Sequence, residues 1–188
     1  MKQAKVLTEK ELKRVLQLCE VLTHGARNKL AIQISHYVGL RVGEIASLKW
    51  SDVLDRNEQP KESFYLKAEN TKAKEARQVH VNQRLQRAFL VYWQSLGRYK
   101  KMSDPVILSQ RGPFTANSLG QLYSYIYHLA GISDASSHSG RRWFITQLAN
   151  SGVSPKVIME LAGHKQLTTT QRYIDVTEEQ KRNAVDLL

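Results

Sequence analysis

Only one cysteine, Cys19, stands among the 188 residues, so no disulfide can form within the chain. Folding must therefore rest on an apolar core, which a chain of this length can build without staples. No long apolar run is present, and no charged-then-apolar leader opens the sequence; both argue against a membrane span or a secretory signal. Internal repeats, low-complexity tracts and linkers are missing too, so residues 1–188 are expected to form a single domain. Acidic residues are scarce: 17 Asp plus Glu face 28 Lys plus Arg, for a net charge of +11. Such an excess favours a polyanion, because it speeds encounter with nucleic acid and displaces condensed counterions. Charge alone leaves open a basic surface kept for solubility or for RNA.

What is present is mostly helical patterning. Thr8 and Glu11 form a capping-box signature ahead of an apolar stripe of Leu12, Val15, Leu16 and Cys19. A second helix is expected from about Arg27 to Val38, with Leu30, Ala31, Ile34 and Val38 on its buried side and Gly39 ending it. The polar stretch 55–62, with Pro60, reads as a loop before two short strands, Ser63–Lys67 and Arg77–Val81, joined by a lysine-rich turn. Asn82 can cap a helix whose apolar face is Leu85, Ala88, Phe89, Tyr92, Trp93 and Leu96. After a loop holding Pro105 and Gly112-Pro113, Thr115 can cap a helix that Gly131 ends, with Leu119, Leu122, Tyr123, Ile126 and Leu129 inward. Further helices are expected from His138 to about Asn150, from Ser154-Pro155 to Gly163, and from Thr177, with Gln180, to Leu188. The fold class is mainly α with a small antiparallel β-sheet.

Chemistry enters with His164 and Tyr173, nine residues apart. A phenol has a pKa of about 10, so attack at neutral pH needs a base or nearby cations, and stabilisation of the charge that develops. Arg41, His138, Arg141 and His164 are the candidates for that help. On a helix from His138, Arg141 points to the same side as Ile145 and Leu148, toward the core. A guanidinium there needs an anion, either a bound phosphate, which suits its planar fork of donors, or a buried Asp or Glu. Arg41 follows Gly39-Leu40 in an apolar setting, with Glu44 three residues on to hold it. In the turn between the strands, Lys72 on its flexible stem could reach a leaving oxygen; Lys74 is the alternative.

These segments, Gly39-Leu40-Arg41-Val42-Gly43-Glu44, His138-Ser139-Gly140-Arg141, Leu161-Ala162-Gly163-His164 and Tyr173, resemble the active site of the tyrosine recombinase (phage integrase) family. The resemblance covers nearly the whole chain. It implies that Arg41, Lys72, His138, Arg141, His164 and Tyr173 are the catalytic set, in order. Lys72 is preferred over Lys74 because it stands eight residues before His80, where many relatives place a proline. Gly140, where leucine is frequent, and Ala162, where leucine is usual, are departures expected to affect packing only.

The resemblance further implies the tyrosine recombinase catalytic-domain fold and a site-specific recombinase or integrase acting on double-stranded DNA. Its chemistry would be a 3′-phosphotyrosyl intermediate, formed with no cofactor, metal or ATP. A helical clamp domain usually precedes this catalytic domain; residue 1 falls almost at the catalytic domain's start, so no clamp is expected in this chain. Self-association on DNA through the last helix is expected, as are a cytoplasmic, nucleoid-associated location and an origin in a bacterium, phage or mobile element. The alternatives are a type IB topoisomerase-like enzyme, which reseals the strand it cut, and an inert DNA-binding regulator with the same fold.

Overall fold

Residues 3–70, 75–98, 100–174 and 178–186 are described by the computed structural model. Helix α1, Glu9–Val21, starts at the Thr8 cap, whose hydroxyl accepts from the Glu11 amide while the Glu11 carboxylate accepts from the Thr8 amide. Helix α2, Gly25–Tyr37, packs against α1 on one side. Two short helices follow, α3 at Val42–Ser47 and α4 at Trp50–Val53. Strands β1, Ser63–Leu66, and β2, Arg77–His80, pair antiparallel with Phe64 opposite Val79 and Leu66 opposite Arg77.

Helix α5, Gln83–Ser95, takes its cap from Asn82. A two-residue antiparallel pair, β3 at Leu108–Ser109 and β4 at Gly112–Pro113, stands inside the expected loop. Next come α6, Ala116–Leu129; α7, Ser139–Asn150; α8, Pro155–Ala162; α9, Leu167–Gln171; and α10, Glu178–Val185. The mainly helical fold with little sheet is as the patterning predicts, except that the sheet is two separate hairpins. Thr177, Leu187 and Leu188 lie outside the described residues, as do Lys72 and Lys74.

Helix α2 is the centre of the molecule. It touches α1, α5 and α7, so burial is not confined to one stripe: besides Leu30, Ala31 and Ile34 it buries Ile32, Ser35 and His36. Two expected inward residues are out of the core. Leu96 lies just past α5 and Leu129 on the last turn of α6, both exposed, whereas Tyr127 is fully buried in place of Leu129. Where α7 crosses α2, a Cβ on Gly140 would stand 2.2 Å from the Ser35 hydroxyl and 2.8 Å from His36 Nδ1. That crossing explains glycine at a position where the resemblance favours leucine.

Apolar burial falls into two groups. The main core runs from Leu7 through α1, α2, α5 and α6 to Trp143. A smaller cluster of Ile145, Ala149, Ile158 and Ala162 lies between α7 and α8, with Phe144, Leu148, Tyr173 and Ile174 against it. Among the described residues no helix is long and apolar enough to cross a membrane.

Candidate active site

The end of α8 organises the site. The last four carbonyls of a helix lack intrahelical partners and must be satisfied otherwise. Here Met159 O accepts from the His164 amide and Glu160 O from the Gly163 amide, each at 3.0 Å, because Gly163 adopts a left-handed φ of 63° that turns the chain back. Leu161 O accepts from Arg77 Nη1 at 3.1 Å, and Ala162 O accepts from Arg141 Nη2. Two guanidiniums thus sit where the helix dipole is negative. A side chain at Gly163 would be strained by φ and would also meet Arg77, whose Cδ would lie 2.6 Å from the added Cβ.

Arg141 is buried on α7, as its helical phase predicts, and its other terminal nitrogen donates to Gly39 O at 2.8 Å. Both contacts are to carbonyls two residues ahead of other candidate residues, Gly39 before Arg41 and Ala162 before His164. The expectation that a buried carboxylate might take Arg141 is replaced by these neutral acceptors, which leave its charge unbalanced. Burial, then the charge of Arg41, pushes the Arg141 guanidinium down to about 9, so it is still protonated at neutral pH.

Arg41 stands at the start of α3. Glu44, buried on that helix, accepts from the Arg41 amide at 2.8 Å and from Arg41 Nη1 at 3.1 Å. The same carboxylate accepts from Arg77 Nη2 at 3.0 Å. Two guanidiniums therefore share one carboxylate, with the charge of Arg141 also nearby, an arrangement that favours a further anion.

His164 Nδ1 shares a hydrogen bond of 2.8 Å with the hydroxyl of Thr170, which is fully buried on α9. Burial, followed by the positive charge of Arg141, Arg41 and Arg77, pushes the imidazole down to about 4. It is therefore neutral at pH 7. Its ring stacks on that of Tyr173, with centroids 6.2 Å apart and planes 23° from parallel. Arg142, next to Arg141 on α7, places its guanidinium 5.2 Å from the Tyr173 ring centroid and donates to Gln3 Oε1 at 2.8 Å. His138 sits exposed at the N-terminus of α7.

Five of the six expected residues, Arg41, His138, Arg141, His164 and Tyr173, line one cavity of about 580 Å³, together with Arg142 and Gln3. The sixth, Lys72, falls outside the described residues. Nearby, Glu75 and Ala76 line a recess of about 110 Å³ with Arg41, Arg77 and His164. Sequence reasoning did not single out Arg77, Arg142 or Thr170. Of these, Arg77 had a signal: two residues before inward Val79, it shares that face of β2, and it lies opposite buried Leu66. Among the described residues no cluster of His, Cys, Asp and Glu could hold a metal ion.

A small helical domain whose arginines and tyrosine converge in this way defines a class, and the chain belongs to the phage integrase family, whose model matches residues 5–180. Among individual relatives, tyrosine recombinase XerC of Myxococcus xanthus is 31% identical over 191 residues, covering 97% of this chain and 61% of its own length. Tyrosine recombinase XerA of Thermococcus kodakarensis is 30% identical over 184 residues, covering 96% and 61%. The chain thus spans about three-fifths of the relatives it matches. In fold it is similar to a crystal structure of XerA recombinase (TM-score 0.76, 22% identity, 100% of this chain and 64% of that one). It is also similar to the Tn1549 transposon integrase in complex with transposon right end DNA (TM-score 0.79, 19% identity, 100% and 67%).

Proposed function

We propose that this chain is the catalytic unit of a site-specific DNA recombinase or integrase, and that Tyr173 is its nucleophile. What supports the reading is the convergence of Arg41, His138, Arg141, His164 and Tyr173 on one cavity within a member of this family. Names of relatives and of structures solved with DNA point to the same substrate.

In the proposed step the Tyr173 oxygen attacks a backbone phosphorus of duplex DNA. The phenolic O–P bond forms, the P–O5′ bond breaks, and the strand is left with a 3′-phosphotyrosyl link and a free 5′-hydroxyl. Arg41 and Arg141 hold the non-bridging oxygens, and their positive surroundings match the charge that builds on phosphorus. His138 and His164 bind those oxygens or move the phenolic proton, and Lys72 protonates the departing O5′. Burial and then the arginine charges hold the His164 pKa down, so the ring is neutral before DNA arrives, and the incoming phosphate offsets the arginine part of that effect. The phosphodiester energy stays in the new bond, so rejoining by a 5′-hydroxyl needs no ATP.

We assign to α10 a docking role on a second copy bound to the same DNA. It carries Val185 as an exposed apolar side chain that a neighbouring copy could cover. Deleting residues 178 to 188 is expected to abolish higher-order assembly on DNA while monomer binding persists; unchanged assembly refutes the assignment.

The deciding experiment incubates the protein with fragmented genomic DNA of its source, denatures the mixture, and sequences DNA that stays covalently attached. Wild type is expected to recover a defined site, and Tyr173→Phe none. No adduct from wild type, or an equal adduct from Tyr173→Phe, refutes the reading. Exchange of strands between two recovered duplexes separates recombination from resealing of a single strand.

A further inference from the structure

Arg77 reaches two anchors at once, and both belong to the site. One terminal nitrogen donates to the Glu44 carboxylate that fixes Arg41, and the other donates to the Leu161 carbonyl at the end of α8, three residues before His164. Its side chain runs beneath Gly163, so close that no Cβ fits there. Its side chain is only 13% exposed and lines the recess behind the main cavity rather than the cavity itself. Its Nε is buried without a hydrogen-bond partner among the described residues. A buried guanidinium held this way bears a desolvation cost that a structural core residue of the same size would not.

We propose that Arg77 is a positioning residue for the strand-transfer reaction: it holds the Glu44 carboxylate and the Leu161 carbonyl together, and so sets the separation of Arg41 and His164 across one phosphate. The proposal rests on the strand-transfer reading of the cavity. The geometry requires a planar fork, because the two acceptors are taken by different terminal nitrogens of one rigid group. Lysine brings the charge but cannot span both. Arg77 also opens β2, five residues after Lys72 in the sequence, so the same tie joins β2 to α3 and α8.

The test compares wild type, Arg77→Met and Arg77→Lys, using the DNA duplex recovered by covalent capture. Fold is monitored by circular dichroism at the assay temperature. Both variants are expected to bind DNA with half-saturation near wild type. Their single-turnover rate of adduct formation at saturating DNA is expected to fall on the order of 100-fold, the usual effect of small misplacements in a reacting site. A second measurement needs no DNA: the titration of the His164 ring followed by NMR. Loss of the Arg77 charge and of its tie should raise the His164 midpoint in Arg77→Met, whereas Arg77→Lys keeps it low. If Arg77→Met does not fold, Arg77→Lys carries the test alone.

A folded variant that forms adduct at the wild-type rate overturns the proposal. So does a loss of rate that matches only the unfolded fraction, with the His164 midpoint unmoved. If wild type itself forms no adduct, the strand-transfer reading fails, and the His164 titration still decides whether Arg77 governs that ring.

Discussion

His164 and Thr170 are joined by a hydrogen bond of 2.8 Å between imidazole Nδ1 and hydroxyl Oγ1, and Thr170 is fully buried. The Thr170 carbonyl also accepts from the Tyr173 amide at 3.0 Å. One threonine thus sets the ring plane of the histidine and the entry of the tyrosine. Thr170→Val keeps the shape and removes only Oγ1, leaving Nδ1 unpaired. A hydrogen bond of this kind contributes roughly 1 kcal/mol, so adduct formation is expected to slow about fivefold with DNA affinity unchanged. Single-turnover cleavage measures it, and an unchanged rate would show that Thr170 does not hold the ring.

Arg141→Lys is expected to reduce adduct formation on the order of 100-fold, comparable to losing one oxyanion donor. An ammonium can hold either Gly39 O or Ala162 O, not both while also gripping a phosphate. Near-normal cleavage by the folded variant would remove Arg141 from the phosphate-binding set.

The crossing of α2 and α7 makes Gly140→Ala costly. Its methyl would stand 2.2 Å from the Ser35 hydroxyl and 2.7 Å from Ser35 Cβ, so one helix must move. Overpacking of this kind destabilises by about 1–3 kcal/mol. Urea unfolding should report that loss, and Ser35→Gly in the same molecule should recover part of it; no loss in the single variant would mean that the crossing is slack.

Buried His36 carries a pH dependence of its own. Its Nδ1 lies 2.8 Å from Ile32 O, its Nε2 has no partner among the described residues, and burial pushes the imidazole down to about 4. The unfolded histidine titrates near 6.5, so between these values the unfolded chain binds the extra proton. Stability is therefore fully present above pH 6.5 and is lost as pH falls toward 4, by roughly 3 kcal/mol for this residue. His36→Gln should flatten the dependence of unfolding free energy on pH across that window, and an unchanged slope would contradict the assignment.

Much of this was legible from sequence, for physical reasons that differ by residue. Helix caps at Thr8, Asn82, Thr115 and Ser154 are local signals, and each is used. Arg141 could be placed toward the core from helical phase alone, because phase is a property of one element. Its partners could not, since the Gly39 and Ala162 carbonyls are brought to it only by packing of distant segments. Arg142 escaped notice because the phase that turns Arg141 inward turns its neighbour away, and only the placement of Tyr173 gives it a ring to cover. Thr170 stood third in a run of three threonines, with nothing local to distinguish it. Helix α3 is too short to show a period, and the single stripe read on α2 left out Ile32, Ser35 and His36, which its packing on several sides also buries.

The small cluster of Ile145, Ala149, Ile158 and Ala162 has a mechanical outcome. Tyr173 and Ile174 lean on that patch and not on the large core, so releasing α8, α9 and these two residues exposes little grease. Besides that packing, their seat is tied by arginine-to-carbonyl bonds at Leu161 and Ala162. Amide protons of α8 and α9 should then exchange with deuterated solvent well ahead of those in α2, through a sub-global opening that leaves the rest intact. The Tyr173 phenol is thus expected to ride on a part of the molecule that opens without melting the whole.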